Sequence, residues 1–188
     1  AGFGSIGRVR LEAAAFRLAC PVKANPPCWQ QGRIIYAVTR GWLGKHGDPN
    51  PTFLDIGTAK GFSALAFAWA LHDAKRAGDV VSVDVIDPDE RTFRNSVADL
   101  HGPTTVRELL APWPEAQRIY LYKAGGAEYL SETPSIRYPI AYIDGKHDYD
   151  NVRLESLMLS RRQVADDIIV FDDLQVPGVR RASEELEG

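Results

Sequence analysis

Two acids with a glycine turn between them are the first residues in this chain whose types and spacing could do chemistry. Asp55 stands near the end of a short apolar run, Gly57-Thr58-Ala59-Lys60-Gly61 follows it, and Asp84 ends the next such run. The turn reads G-x-x-x-G and lacks the extra glycine of G-x-G-x-x-G, which brings backbone amides against a dinucleotide pyrophosphate. A nucleoside cofactor without phosphate asks for less: a tight turn that admits its tail, one acid for an ammonium group and another for two ribose hydroxyls. S-adenosylmethionine (SAM) is such a cofactor. Asp55 could meet its α-ammonium group and Asp84 its ribose, with Asp87 as the rival for the ribose. The plainer reading makes Gly57 and Gly61 a chain reversal and Asp84 or Asp87 a helix cap. Position favours the cofactor, because the turn follows one strand and an acid closes the next.

A second group lies further on. Ile143-Asp144-Gly145-Lys146-His147 puts an acid at a strand end and a histidine three residues later, and Phe171-Asp172-Asp173 adds two acids. If the two strands are neighbours, Asp144, Asp172 and Asp173 can surround one hard cation, and all-oxygen ligation favours Mg²⁺ over zinc. A cation would lower the pKa of a hydroxyl and orient it toward an activated methyl group. His147, with an ordinary pKa of about 6.5, suits proton abstraction near neutrality. Lys146 is the alternative base. The competing reading is that adjacent acids after a strand cap a helix and that a lone loop histidine is polar surface. Asp148, Asp150, Asp166 and Asp167 read as caps and solvated turns, and His46, His72 and His101 as surface. Trp29, Trp42, Trp69 and Trp113 read as packing, with Trp29 also able to close over the site.

The elements that must carry these residues alternate. Val9 to Leu18 and Gln31 to Leu43 read as helices, the second burying Ile34, Val38 and Trp42, with Pro21, Pro26 and Pro27 breaking the chain between them. Strands are expected at Thr52–Ile56, Val80–Ile86, Ile119–Tyr122, Tyr138–Ile143 and Ile168–Phe171. Helices are expected at Gly61–Arg76, from Asp87, at Thr105–Leu110, at Glu115–Arg118 and at Tyr149–Val164. Val80 to Ile86 is nearly all apolar, as a strand covered on both faces should be. The pattern specifies an α/β fold: a doubly wound, mainly parallel sheet with helices on both faces and ligands at the carboxyl ends of its strands. Residues 1–50 read as an N-terminal helical cap or lid and 51–188 as one compact cofactor-binding domain.

Phe53-Leu54-Asp55-Ile56-Gly57-Thr58-Ala59-Lys60-Gly61-Phe62-Ser63 resembles motif I of metal-dependent class I O-methyltransferases, and Val81-Ser82-Val83-Asp84 resembles their second motif. Asp144-Gly145-x-His147-x-Tyr149 followed by Phe171-Asp172-Asp173 is similar to the macrocin and rhamnosyl O-methyltransferase group. It is more distantly similar to catechol and caffeoyl-CoA O-methyltransferases, and the likeness spans about Gln31 to Val179. The resemblance implies that Gly57, Thr58, Ala59 and Ser63 line the methionine part of SAM, that Asp84 holds the ribose, and that Gly125 and Gly126 lie near the adenine. It also implies Asp144, Asp172 and Asp173 as Mg²⁺ ligands and His147 as the base. One departure is that the residues after Asp173 are too few for the helix and antiparallel hairpin that finish this fold, which leaves the acceptor pocket unspecified.

Composition narrows the partners. A net charge of -3 over 188 residues gives no basic footprint for nucleic acid. The longest apolar run, Phe62 to Leu71, is too short to span a bilayer. Cys20 and Cys28 fit no zinc or redox spacing, which suggests a reducing cytoplasm. The expected partner is a small molecule, and self-association stays open. Two alternatives remain: a nicotinamide-dependent dehydrogenase, which Asp84 would tolerate but the G-x-x-x-G turn disfavours, and a non-catalytic SAM-binding or interaction domain.

Overall fold

The five apolar runs form β1 (Thr52–Ile56), β2 (Asp79–Asp84), β3 (Ile119–Lys123), β4 (Ile140–Ile143) and β5 (Ile168–Phe171) in a computed structural model. The structure describes residues 7–18, 29–94 and 97–186. Cys20, Cys28 and the breaks at Pro21, Pro26 and Pro27 lie outside them. All five strands pair in parallel in the order β3-β2-β1-β4-β5. The chain winds outward from β1 to β3, then returns to the other side of β1 with β4. That reversal opens a crevice at the carboxyl ends of β1 and β4, where ligands of such sheets bind. Among the described residues no antiparallel strand follows β5.

The helices are α1 (Arg8–Leu18), α2 (Gln30–Lys45), α3 (Phe62–Asp73), α4 (Val106–Leu110), α5 (Gly126–Glu132), α6 (Tyr149–Ser160) and α7 (Pro177–Glu184). Strand side chains alternate between the faces they cover. Phe53, Val80 and Ile140 pack with α1, α2 and α3, while Leu54, Val81 and Ala141 pack with α5, α6 and α7. Phe62 through Leu71 are all buried, so α3 has no wet side. A helix apolar all round needs cover all round. The sheet covers one side and α2 the other, at a contact so close that a Cβ on Gly32 would stand 2.6 Å from the Phe62 ring.

Several boundaries differ from the sequence reading. The buried stripe of α2 is Ile35, Tyr36, Thr39, Trp42 and Leu43, and Ile34 is exposed. Thr39 goes inward because its hydroxyl donates to the Ile35 carbonyl (2.7 Å), satisfying a polar group that periodicity counts as surface. β2 stops at Asp84, and Val85 and Ile86 are exposed, because the Asp84 carboxylate accepts from the Ile86 amide (2.9 Å) and turns the chain. No helix starts at Asp87. That loop is held instead by buried Arg94, which donates to the carbonyls of Glu90 and Thr104. Thr105 caps α4 in a reciprocal box with Glu108, and 114–118 is a 3-10 turn. α3 ends at Asp73 and α6 at Ser160, short of the expected Arg76 and Val164. Asp148 caps α6 through the Asn151 amide (3.0 Å), as expected. Asp167 is no solvated turn residue, for its carboxylate is buried against Arg137 (2.5 Å). His46 stacks on Trp42 with ring centroids 4.4 Å apart.

Phe67 is fully buried between β1 and α3, stacked on Phe53 at 5.4 Å. Phe67→Ala is expected to cost about 3–5 kcal/mol, read as a lower urea midpoint. Leu100→Ala, at a residue 81% exposed, should stay within about 0.5 kcal/mol. Equal shifts for the two variants would contradict this placement of the core.

Candidate functional site

Main-chain ladder bonds continue past the strand ends and level the loops that form the site. Gly57 N donates to Val83 O (2.8 Å), Asp144 N to Ile56 O (2.8 Å), Ala124 N to Asp84 O (2.9 Å) and Asp172 N to Ile143 O (3.1 Å). The approach between the first and fourth loops is the tightest. Gly57 has φ +100°, and a Cβ there would lie 2.1 Å from the Asp144 carbonyl oxygen, so only glycine fits.

A cavity of about 360 Å³ opens over these loops. Of the residues expected at a cofactor, Gly57, Ala59, Asp84, Gly125 and Gly126 line it, and Asp144 joins them. Asp84 accepts from the amides of Ala59 (2.8 Å) and Ile86 (2.9 Å), and a carboxylate so held retains lone pairs for two hydroxyls. Asp87 is turned aside, accepting from the Asp89 amide (2.9 Å) and facing Lys123 at 3.7 Å.

Asp55, Thr58, Gly61 and Ser63 are absent from that lining. Strand alternation sends Asp55 to the α3 face, where it is 0% exposed and accepts from the Ser82 hydroxyl at 2.5 Å, with Thr58 on Ser82 at 2.7 Å. Burial pushes Asp55 up to about 7, and the hydroxyls of Ser63 and Ser82 pull it only partly back. Asp55 therefore stands behind the turn rather than in the cavity wall, with its Oδ1 buried and without a hydrogen-bond partner. Gly61, at φ +86°, starts α3 against Leu110.

The acidic rim forms at the ends of β4 and β5. His147 Nε2 lies 3.4 Å from Asp144 Oδ1 and 3.2 Å from Asp173 Oδ2. One ligand atom from each of Asp144, His147 and Asp173 falls within 4.8 Å of the others. Asp173 reaches this position from a left-handed backbone, φ +51°, and Ala59 at the cavity has φ +45°, conformations that cost of order 1–3 kcal/mol in non-glycine residues. Asp172 faces the other way, accepting from the Tyr142 hydroxyl (2.5 Å) and the Gln31 amide (2.9 Å). Gln31 also donates to Asp144 Oδ2 at 3.0 Å, tying α2 to the rim. Burial, then the charge of Asp172, pushes Asp144 up to about 6, with His147 pulling it back. Burial and the charges of Asp144 and Asp172 push the Tyr142 hydroxyl far up, so it stays a donor. Crowded acids of this kind fit a divalent cation, which would relieve their repulsion. Lys146 lines the cavity but pairs with Asp148 at 3.2 Å.

Gln31, Tyr142 and Glu155 were not singled out by spacing. Glu155 alone carried a legible sign, an acid on the Val152–Leu159 stripe of α6 that faces the core. Beside the rim, a hollow lined by Gln31, Ile34, Tyr142, Phe171, Asp172 and Asp173 opens toward α2.

The sequence model of the methyltransferase-domain family matches residues 54–174, which carry the end of β1, all of β2 through β5 and both groups of site residues, and the chain belongs to that family. It is a SAM-dependent methyltransferase on the class I, Rossmann-like sheet. No curated protein matches it in sequence. Solved structures share the fold. The O-methyltransferase TomG from Streptomyces achromogenes, involved in tomaymycin synthesis and solved with SAM, is 19% identical with a TM-score of 0.62, over 98% of this chain and 80% of that one. The TDP-rhamnose 3'-O-methyltransferase CalS11 of calicheamicin biosynthesis is 18% identical, TM-score 0.59, over 84% and 69%. The SAH-bound Podospora anserina methyltransferase PaMTH1 is 15% identical, TM-score 0.57, over 97% and 80%. Among the described residues no helix is long and apolar enough to cross a membrane.

The Asp55 carboxyl sets a pH dependence. An unfolded chain ionises it above about pH 4, whereas the folded chain holds the proton until about 7. Its contribution to stability is complete below pH 4 and is lost as pH rises through 7, by up to about 4 kcal/mol. Asp55→Asn should therefore flatten the fall in melting temperature between pH 5 and pH 8. Glu155, also pushed up to about 7, leaves part of that slope in place. Parallel curves for the two proteins would count against a protonated Asp55.

Proposed function

We propose that this methyltransferase acts on a hydroxyl of a small molecule, a sugar or a phenolic compound, with Mg²⁺ at the acidic rim. The observation that carries the reading is that Asp144 belongs to both halves of the site: it lines the donor cavity and stands 3.4 Å from His147. SAM would lie with its tail at the Gly57 turn, its ribose hydroxyls on Asp84 and its sulfonium toward Asp144. The acceptor would enter by the hollow beside Gln31 and Ile34, so α2 would cap the acceptor side. His147, held through Nε2 by Asp144 and Asp173, takes the hydroxyl proton on its other ring nitrogen, Nδ1, as the oxygen attacks the methyl carbon. The carbon–sulfur bond breaks and S-adenosylhomocysteine leaves. Asp144 and Asp173, joined by Asp172 once it turns from Tyr142, would hold the cation, which supplies a lowered hydroxyl pKa and a fixed approach. TomG and CalS11 are themselves described as O-methyltransferases, and CalS11 as acting on TDP-rhamnose, which supports a small-molecule hydroxyl as acceptor.

Calorimetry with S-adenosylhomocysteine is expected to show one site, weakened about 10- to 100-fold by Asp84→Ala through loss of charge-assisted hydrogen bonds. A folded sample that binds no S-adenosylhomocysteine would overturn the reading. With radiolabelled SAM and a panel of sugar and phenolic acceptors, His147→Gln should lower kcat about 10²- to 10⁴-fold while leaving S-adenosylhomocysteine affinity intact. Chelation should stop turnover. Turnover indifferent to EDTA would remove the cation from the proposal, and turnover indifferent to His147 would remove the base.

A further inference from the structure

Glu155 sits in the second turn of α6, on the side that packs against the sheet, and it also lines the donor cavity. The residue is only 4% exposed. Its carboxyl accepts from the Ala127 amide, while Oε2 is sealed from solvent and has no hydrogen-bond partner. Buried polar atoms are nearly always paired, and a carboxylate oxygen left alone calls for a reason. The chain makes room for this side chain. A Cβ on Gly126 would stand 2.3 Å from Oε1 of Glu155 and 2.7 Å from Cγ2 of Ile56. Gly126 therefore serves to admit the Glu155 carboxyl.

The parts of the donor divide the cavity wall. The tail takes the Gly57 turn, the ribose takes Asp84, and the sulfonium must face Asp144 and His147. The wall left for the base is Ala124 to Gly126, Asn151 and Glu155. The amide nitrogen of Asn151 is already engaged with both oxygens of Asp148, at 2.7 Å each. Two side-chain acceptors remain on this wall, Oδ1 of Asn151 and Oε2 of Glu155; Oε2 is the one buried without a partner, and the last torsion of a glutamate is soft enough to swing it toward the cavity. Adenine offers a matching group, an exocyclic amine with two hydrogens and no competing charge.

We propose that Glu155 accepts a hydrogen bond from the exocyclic amine of the donor's adenine and so selects an adenosyl group over other nucleosides, with Gly126 giving it access. The proposal rests on the SAM reading above. Burial and the charge of Asp148 push Glu155 up to about 7 in the free protein, and an amine donor would favour its charged form.

The test compares S-adenosylhomocysteine with S-inosylhomocysteine, which carries a carbonyl where adenine has its amine. Calorimetry on the whole chain should show the adenosyl compound binding about 10- to 100-fold more tightly, the range of one hydrogen bond to a charged group. E155Q keeps the shape of the side chain but presents an amide that serves either base edge. It should bring the two affinities within about threefold, chiefly by weakening the adenosyl compound. A purely structural glutamate predicts equal weakening of both ligands with the ratio kept, and that result overturns the proposal. So does a ratio near one in the unaltered protein, which requires no variant to fold. Failure of the unaltered protein to bind either ligand would overturn the SAM reading as well, so the two failures are told apart.

Discussion

The contact on which the site depends is main chain against main chain, where the loop after β1 meets the loop after β4. Asp144 N donates to Ile56 O at 2.8 Å, and the Asp144 carbonyl occupies the space a side chain at position 57 would need. The strand order makes this meeting unavoidable, because β4 returns to pair with β1 after the chain has wound out to β3. One loop carries the glycine turn at the cavity, and the other begins with the acid of the rim. Pressing them together joins cavity and rim at one crevice and fixes the spacing between them.

Behind that contact runs a row of polar groups through an otherwise apolar layer. Ser82, Asp55 and Tyr142 are register partners across β2, β1 and β4, all on the face that α3 covers. The row is linked locally, Thr58 to Ser82, Ser82 to Asp55 Oδ2, and Tyr142 to Asp172, while Asp55 Oδ1 stays without a partner. Low dielectric raises the cost of any member left unpaired. The row therefore fixes the height of the glycine turn and the direction of the rim acids more firmly than apolar packing would. Gln31 closes it from outside, carrying the position of α2 to Asp144 and Asp172.

Much of this could be read from the chain, and the limits are instructive. Nearly continuous apolar runs such as Val80 to Val83 announced buried parallel strands, and the acids at their ends announced the rim. The place of Asp84 at the cavity was legible because it ends a strand, which fixes where its side chain must emerge. The direction of Asp55 was not legible, because a residue inside a strand faces one side or the other and only tertiary packing decides which. The helix expected from Asp87 failed because Arg94 and the Asp84 turn hold that stretch by contacts across the loop. Gln31 left no trace, since its partners lie more than a hundred residues away. The direction of Asp172 was equally hidden, because Tyr142 and Gln31 set it.

The helix with no wet side has a consequence for how the chain comes into being. α1, α2, β1 and α3 are the first described elements in the chain, and α2 and α3 pack chiefly on each other. Until β4 and β5 are made, the sheet that should cover α3 is incomplete, because parallel partners are distant in sequence and pair late. During that interval α2 is the shield for ten buried residues, nine of them apolar, that would otherwise recruit chaperones or other nascent chains. The same helix that reaches the rim through Gln31 thus guards the growing polypeptide before there is any site to serve.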